Sequence, residues 1–195
     1  MRKTRLLTLL MASTTLIVAP AFADAPAIVA ACKSCHAEDG SGVGIHFVPV
    51  ITGIPAAHIE EALYAYKDGA RQCGTEPAMC QTVALLTDEN IADLAEHYSR
   101  LRRPSLNEPY DEMLVRRGEQ VHGMHCARCH VPPDHPDVAD ALGYPLHGQH
   151  PVYLRYALKA YLDGTREHLL EQMKEKMDLL EDGDVEALVN YYASY

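Results

Sequence analysis

Four of the six cysteines fall into two identical spacings, Cys32-Lys33-Ser34-Cys35-His36 and Cys126-Ala127-Arg128-Cys129-His130. Two thiols three positions apart, with a histidine straight after the second, can serve as a redox dithiol or as half of a zinc site. They can also attach covalently to one haem, each thiol adding to a vinyl group while the histidine is held at the iron. A single copy leaves all three open. Zinc would need both pairs gathered around one ion, whereas the copies stand 94 positions apart. Two complete copies therefore point to two haems c, attached at Cys32 and Cys35 and at Cys126 and Cys129. His36 and His130 are then their proximal iron ligands.

The remaining cysteines lie in CGTEPAMC, residues 73–80, with Met79 beside the second thiol. This stretch could be a structural disulfide, a thiol site, or a loop that offers a thioether to a metal. A thioether suits haem iron, and His/Met ligation raises the potential of c-type cytochromes. Met79 is the only methionine in residues 24–104, so it is the expected distal ligand of the first haem. In the second half Met113 and Met124 precede their haem motif, and Met173 occupies the position equivalent to Met79. Met173 is the expected second distal ligand, with Met177 one helical turn away as a reserve. With four cysteines consumed, Cys73 and Cys80 are expected to pair, closing a short loop around Met79 and contributing about 2 kcal/mol or less.

Arg2, Lys3 and Arg5, the apolar run Leu6–Ala19, and Ala21-Phe22-Ala23 read as a signal peptide cleaved near Ala23. The mature chain is expected to be periplasmic, without an integral membrane segment. The net charge of −10 becomes −13 when the three basic residues of the leader are removed, and both halves are acidic. That excludes nucleic acid as an expected partner and suits docking to a basic protein surface.

These residues must be positioned by a repeated element set. Leu63, Tyr66, Asp68, Gly69 and Arg71 recur as Leu158, Tyr161, Asp163, Gly164 and Arg166, and ALLTDENIADLAEHYS matches DLLEDGDVEALVNYYA. The mature chain is one module written twice, residues 24–103 and 104–195, joined through RLRRPSLNEPY. Apolar periodicity predicts helices over Ala25–Cys35, His58–Tyr66 and Asp88–Ser99, the last capped by Thr87. The second module repeats them over Met113–Cys126, Val152–Tyr161 and Asp184–Tyr195. HFVPVITG reads as a loop. The fold class is all-α, with each small module completing its core around a porphyrin.

Nine histidines stand outside the motifs: His46, His58, His97, His122, His125, His135, His147, His150 and His168. None recurs at an aligned position, so none is expected to ligate iron. The paired tyrosines Tyr66/Tyr161 and Tyr98/Tyr192 read as core or haem-contact residues, and Glu60-Glu61 as a solvated helix face.

With these motifs the chain resembles the dihaem cytochromes c4, notably in LHGQHPVYLRYALKAYLDGTRE and LLTDENIADLAEHYS. Its second half is also similar to the cytochrome subunit of flavocytochrome c sulfide dehydrogenase, through GQHPVYLRYA, EQMKEKM and NYYAS. The resemblance implies two tandem class I cytochrome c domains with His36/Met79 and His130/Met173 ligation. It also implies that the Pro49 and Pro145 carbonyls support the proximal imidazoles. The Cys73/Cys80 pair is a feature of neither family. With both axial positions filled, iron exchanges electrons instead of activating substrate, so the expected function is electron transfer between redox partners, with no catalytic residue. The expected partners are an oxidase, another cytochrome or a flavoprotein subunit. The alternatives are the haem subunit of a flavocytochrome c sulfide dehydrogenase, and an oxidoreductase of sulfur compounds with the Cys80 thiolate on iron.

Overall fold

The computed structural model describes residues 28–44, 47–74 and 77–195. The signal peptide and His46 lie outside the described residues. Among the described residues there are eight α-helices: α1 Val29–His36, α2 Ala56–Lys67, α3 Ala78–Val83, α4 Asp88–Arg100, α5 Glu112–Val121, α6 Pro151–Leu162, α7 Glu171–Met177 and α8 Asp184–Ala193. A π-type turn, His122–Cys126, carries α5 into the second cysteine motif. No strand is formed among the described residues; Phe47–Pro55 is loop.

The local chemistry explains the helix boundaries. Thr87 Oγ1 accepts from the Asn90 amide at 3.1 Å while Asn90 Oδ1 accepts from the Thr87 amide at 3.2 Å, a reciprocal cap for α4. Its apolar stripe, Ile91, Leu94, Ala95 and Tyr98, follows the helical repeat and is buried. Asp111 caps α5 by accepting from the Met113 amide, and Pro151 opens α6, where a missing amide hydrogen costs nothing.

Two apolar cores result. Val29, Ile59, Val83, Leu86, Ile91, Leu94 and Tyr98 form the first, and Val121, Leu154, Leu158, Met177, Leu188, Val189 and Tyr192 the second. In the second, α5 crosses α8 so closely that a Cβ on Gly118 would stand 2.1 Å from the Ala187 carbonyl oxygen. The Arg117 guanidinium closes the same crossing on the buried Asp184 carboxylate, Nε to Oδ1 3.0 Å.

The repeat reappears in three dimensions as a two-fold relation. Arg71 pairs with its own counterpart Arg166 in an isolated antiparallel bridge. Gln72 N donates to Thr165 O at 3.0 Å and Glu167 N to Ala70 O at 2.8 Å, two bonds that the 95-residue shift interchanges.

Candidate functional site

A single cavity of about 1090 Å³ runs through both halves. Its walls carry both cysteine-histidine motifs, Met79, Met173 and Met177, with Arg71 and Arg166 between them. None of the four motif cysteines is joined in a disulfide, and all are at least partly accessible, as thioether formation requires. Among the described residues no three His, Cys, Asp or Glu side chains come together around a point where a metal ion could sit. The two cysteine pairs are thus not assembled around zinc.

Each motif histidine is oriented by a backbone carbonyl. His36 Nδ1 lies 3.2 Å from Pro49 O, and His130 Nδ1 lies 2.8 Å from Tyr144 O. A carbonyl only accepts, so Nδ1 carries the hydrogen and Nε2 presents its lone pair. Burial lowers the proton affinity of both rings, outweighing the carbonyl bonds that favour the charged form, and so keeps them neutral. Gly143 is required beside the second ring, since a Cβ there would stand 2.5 Å from His130 Cε1. The residues present therefore fit a haem c: two thiols, a neutral imidazole and a thioether around an apolar cleft.

The Tyr144 carbonyl corrects the expectation of Pro145. The loop from His130 to its supporting carbonyl is one residue longer than that from His36, so the proline falls one position beyond it. The signal available in the sequence was the Gly53/Gly148 pair, which sets the local shift at 95 and places Tyr144 opposite Pro49.

Both methionines ride on short helices. Met79 lies on α3, half-buried, against the first core, and Met173 lies on α7 against the second. Met177, 7% exposed, is a member of the second core itself. Beside Met79, Cys73 and Cys80 are joined by a disulfide, so Cys80 offers no thiolate to iron in this state. Cys80 N also donates to Cys73 Sγ at 3.1 Å, fastening the first turn of α3 to the segment that carries Arg71.

Arg71 and Arg166 were seen in the sequence only as repeat markers. Both are buried, and neither meets a carboxylate among the described residues. Arg71 lies over the rings of Tyr66 and Tyr144, and Arg166 over those of Tyr153, Tyr156 and Tyr161. A buried guanidinium without an anionic partner is costly, and facing a cavity it is suited to an acidic group held there.

Four of the other histidines make identifiable packing or polar contacts. His58 is buried against Tyr144, while His122 and His147 sit among Tyr191, Tyr192 and Tyr195. His150 Nε2 donates to Ser41 O at 2.7 Å, and its Nδ1 meets Glu108 Oε1 at 2.6 Å.

Fold and site together define a c-type electron-transfer protein. The cytochrome c family profile matches residues 22–99. The thiosulfate dehydrogenase electron acceptor of Thiomonas intermedia is 31% identical over 159 residues, covering 76% of this chain and 70% of that one. Cytochrome c4 of Pseudomonas aeruginosa is 31% identical over 144 residues, 70% of this chain and 69% of that one. In structure, reduced cytochrome c4 from Pseudomonas stutzeri superposes with a TM-score of 0.71 at 25% identity, over 87% of this chain and 97% of that one. The chain belongs to the cytochrome c family, is similar to cytochrome c4 over most of its length, and carries covalent haem c.

Proposed function

We propose that this protein is a periplasmic dihaem carrier that takes electrons from a dehydrogenase of sulfur compounds and delivers them to a downstream oxidant. The observation that carries the reading is the continuous cavity in which each cysteine motif, with its neutral histidine, shares the walls with a methionine. Cys32, Cys35 and His36, with Met79, would hold one haem in a module spanning residues 24–103. Cys126, Cys129 and His130, with Met173, would hold the second in residues 104–195. Arg71 and Arg166 would pair with the haem carboxylates where the two clefts meet. When bound, haem supplies one-electron exchange at an iron with no vacant position.

The chain's own residues keep that exchange clean. Neutral imidazoles locked by backbone carbonyls do not release a proton when the iron changes state, and the apolar cleft excludes water. Leader removal places the carrier outside the cytoplasm, and no helix among the described residues is long and apolar enough to cross a membrane. The similarity to a thiosulfate dehydrogenase electron acceptor favours a sulfur-compound dehydrogenase over a flavoprotein as the donor.

Redox titration of the purified protein should resolve two one-electron steps, with low-spin spectra and a methionine–iron charge-transfer band from each haem. Met79→Ala and Met173→Ala should each abolish one band. A native haem that is high-spin and binds carbon monoxide overturns the ligation. Reduction by a thiosulfate-oxidising dehydrogenase should be fast and should slow with added salt, because an acidic carrier is steered to a basic surface. Rapid reduction by a sulfide-oxidising flavoprotein alone would shift the assignment to that donor.

A further inference from the structure

The peptide that supports each proximal histidine is gripped by a side chain from the opposite module. Pro49 O, which accepts from His36 Nδ1, adjoins Val50, whose backbone is buried. Val50 N donates to Gln149 Oε1 at 2.7 Å, and Val50 O accepts from Gln149 Nε2 at 2.9 Å. Gln149 belongs to the second half and is itself buried. In the other direction, Tyr144 O accepts from His130 Nδ1 while its hydroxyl accepts from Arg71 Nη2 at 3.0 Å. The two grips are not copies of each other: one holds a backbone with an amide, the other a phenol with a guanidinium.

We propose that Gln149 and the Arg71–Tyr144 pair are positioning residues that make the reduction potential of each haem depend on the docking of the other module. The inference rests on His36 and His130 being the proximal ligands. A hydrogen bond from Nδ1–H to a fixed carbonyl raises the electron donation of the imidazole, which favours ferric iron and lowers the potential. Loosening that carbonyl weakens the bond and raises the potential. A grip that acts across the module boundary therefore acts crosswise: Gln149 on the first haem, and Arg71, through the Tyr144 hydroxyl, on the second. Such coupling requires contiguous, specific contacts, and each route here crosses only two hydrogen-bonded contacts, joined through a peptide bond in one case and the Tyr144 side chain in the other.

The variants are Gln149→Met and Tyr144→Phe, both close in volume to the native side chain. Midpoints are assigned to each haem by its paramagnetically shifted resonances. Gln149→Met should raise the first-module midpoint, by on the order of tenfold in its reduction equilibrium or about 59 mV for one electron, with the second midpoint unmoved. Tyr144→Phe should do the reverse. The Nδ1–H resonance of His36 should move in Gln149→Met while that of His130 stays, a crosswise pattern that a purely adhesive role would not produce. Equal shifts of both haems, a shift only in the variant's own module for Gln149→Met, or no shift overturns the proposal. If Gln149→Met does not fold, Gln149→Glu, which keeps an acceptor for the Val50 amide and loses the donor to the Val50 carbonyl, tests the same grip, and an unmoved first-haem midpoint overturns the proposal. Low-spin spectra with intact methionine bands and no crosswise shift would sink this inference but not the ligation. Loss of those bands in the unaltered protein would instead remove the ligation on which it rests.

Discussion

His122 and His147 are the residues whose burial has the plainest consequence in solution. Their rings meet edge to face at 5.0 Å, and His147 packs on Tyr195 at 4.4 Å. His122 Nδ1 lies 3.0 Å from the Tyr192 hydroxyl, while neither ring nitrogen of His147 has a partner. Loss of solvent pushes His122 down to about 4 and His147 to about 3. Both folded values lie below the unfolded value of about 6.5. The unfolded chain therefore binds more protons, and the stability these groups permit is present above that value and lost as pH falls through the window toward 4 and 3. Each tenfold difference in proton affinity is worth about 1.4 kcal/mol. Thermal unfolding should move steeply to lower temperature between about pH 6.5 and 4, and His147→Phe should flatten that slope; an unchanged slope would show that other groups set it. At this scale the two Cys-x-x-Cys-His motifs stand out in the sequence, because their spacing is local. Tyr144 was missed, because a carbonyl carries no side-chain signature and only the Gly53/Gly148 register reveals the extra loop residue that sets its position.

Among the elements, the long amphipathic helices were readable from periodicity and caps: the expected Thr87 cap and the helices around residues 58–66, 88–99 and 152–161 stand within one or two positions of those observed. The short helices α3 and α7 were not foreseen, since six or seven residues hold too few turns for a periodic signal. Yet they carry the methionines, and they are fastened differently. The disulfide anchors α3 covalently through Cys80, whereas α7 is held by the packing of Met173 and Met177 on the second core, with no covalent tie. Alkaline displacement of methionine should therefore begin at lower pH for the second haem. Cys80→Ser should lower the onset for the first haem toward it, as followed by the charge-transfer bands; two unchanged onsets would show that the disulfide does not hold Met79. The α5–α8 crossing is the other element with no slack. Gly118→Ala must push the helices apart, at a cost of roughly 1–3 kcal/mol in chemical denaturation. The equivalent exchange at Gly123, whose added Cβ meets nothing, should cost less.

For the whole molecule, the question is whether two cores behave as one. A small area of packing alone would let the halves rock, as interfaces between domains of one chain commonly do. Here the contact is built from directed bonds that are spread along the sequence. The Arg71–Arg166 bridge brings two backbone bonds, and Arg166 Nη2 reaches the Tyr66 hydroxyl at 3.4 Å. His150 adds a junction of three parts: its Nε2 bonds to Ser41 of the first half, its Nδ1 to Glu108 of the connecting segment, and its backbone opens α6. Because both ring nitrogens are satisfied inside a buried site, truncating this side chain leaves the Ser41 carbonyl unpaired as well as removing two bonds. The intact protein should therefore unfold in one transition, with calorimetric and van't Hoff enthalpies equal and both methionine–iron bands lost together. His150→Leu should cost roughly 1–3 kcal/mol and part the two bands, the half with the weaker core melting first. Two transitions already present in the unaltered protein would mean that the directed contacts orient the modules without binding them into one cooperative unit. Electron transfer between the haems would then depend on a moving junction, and its rate should fall as solvent viscosity rises.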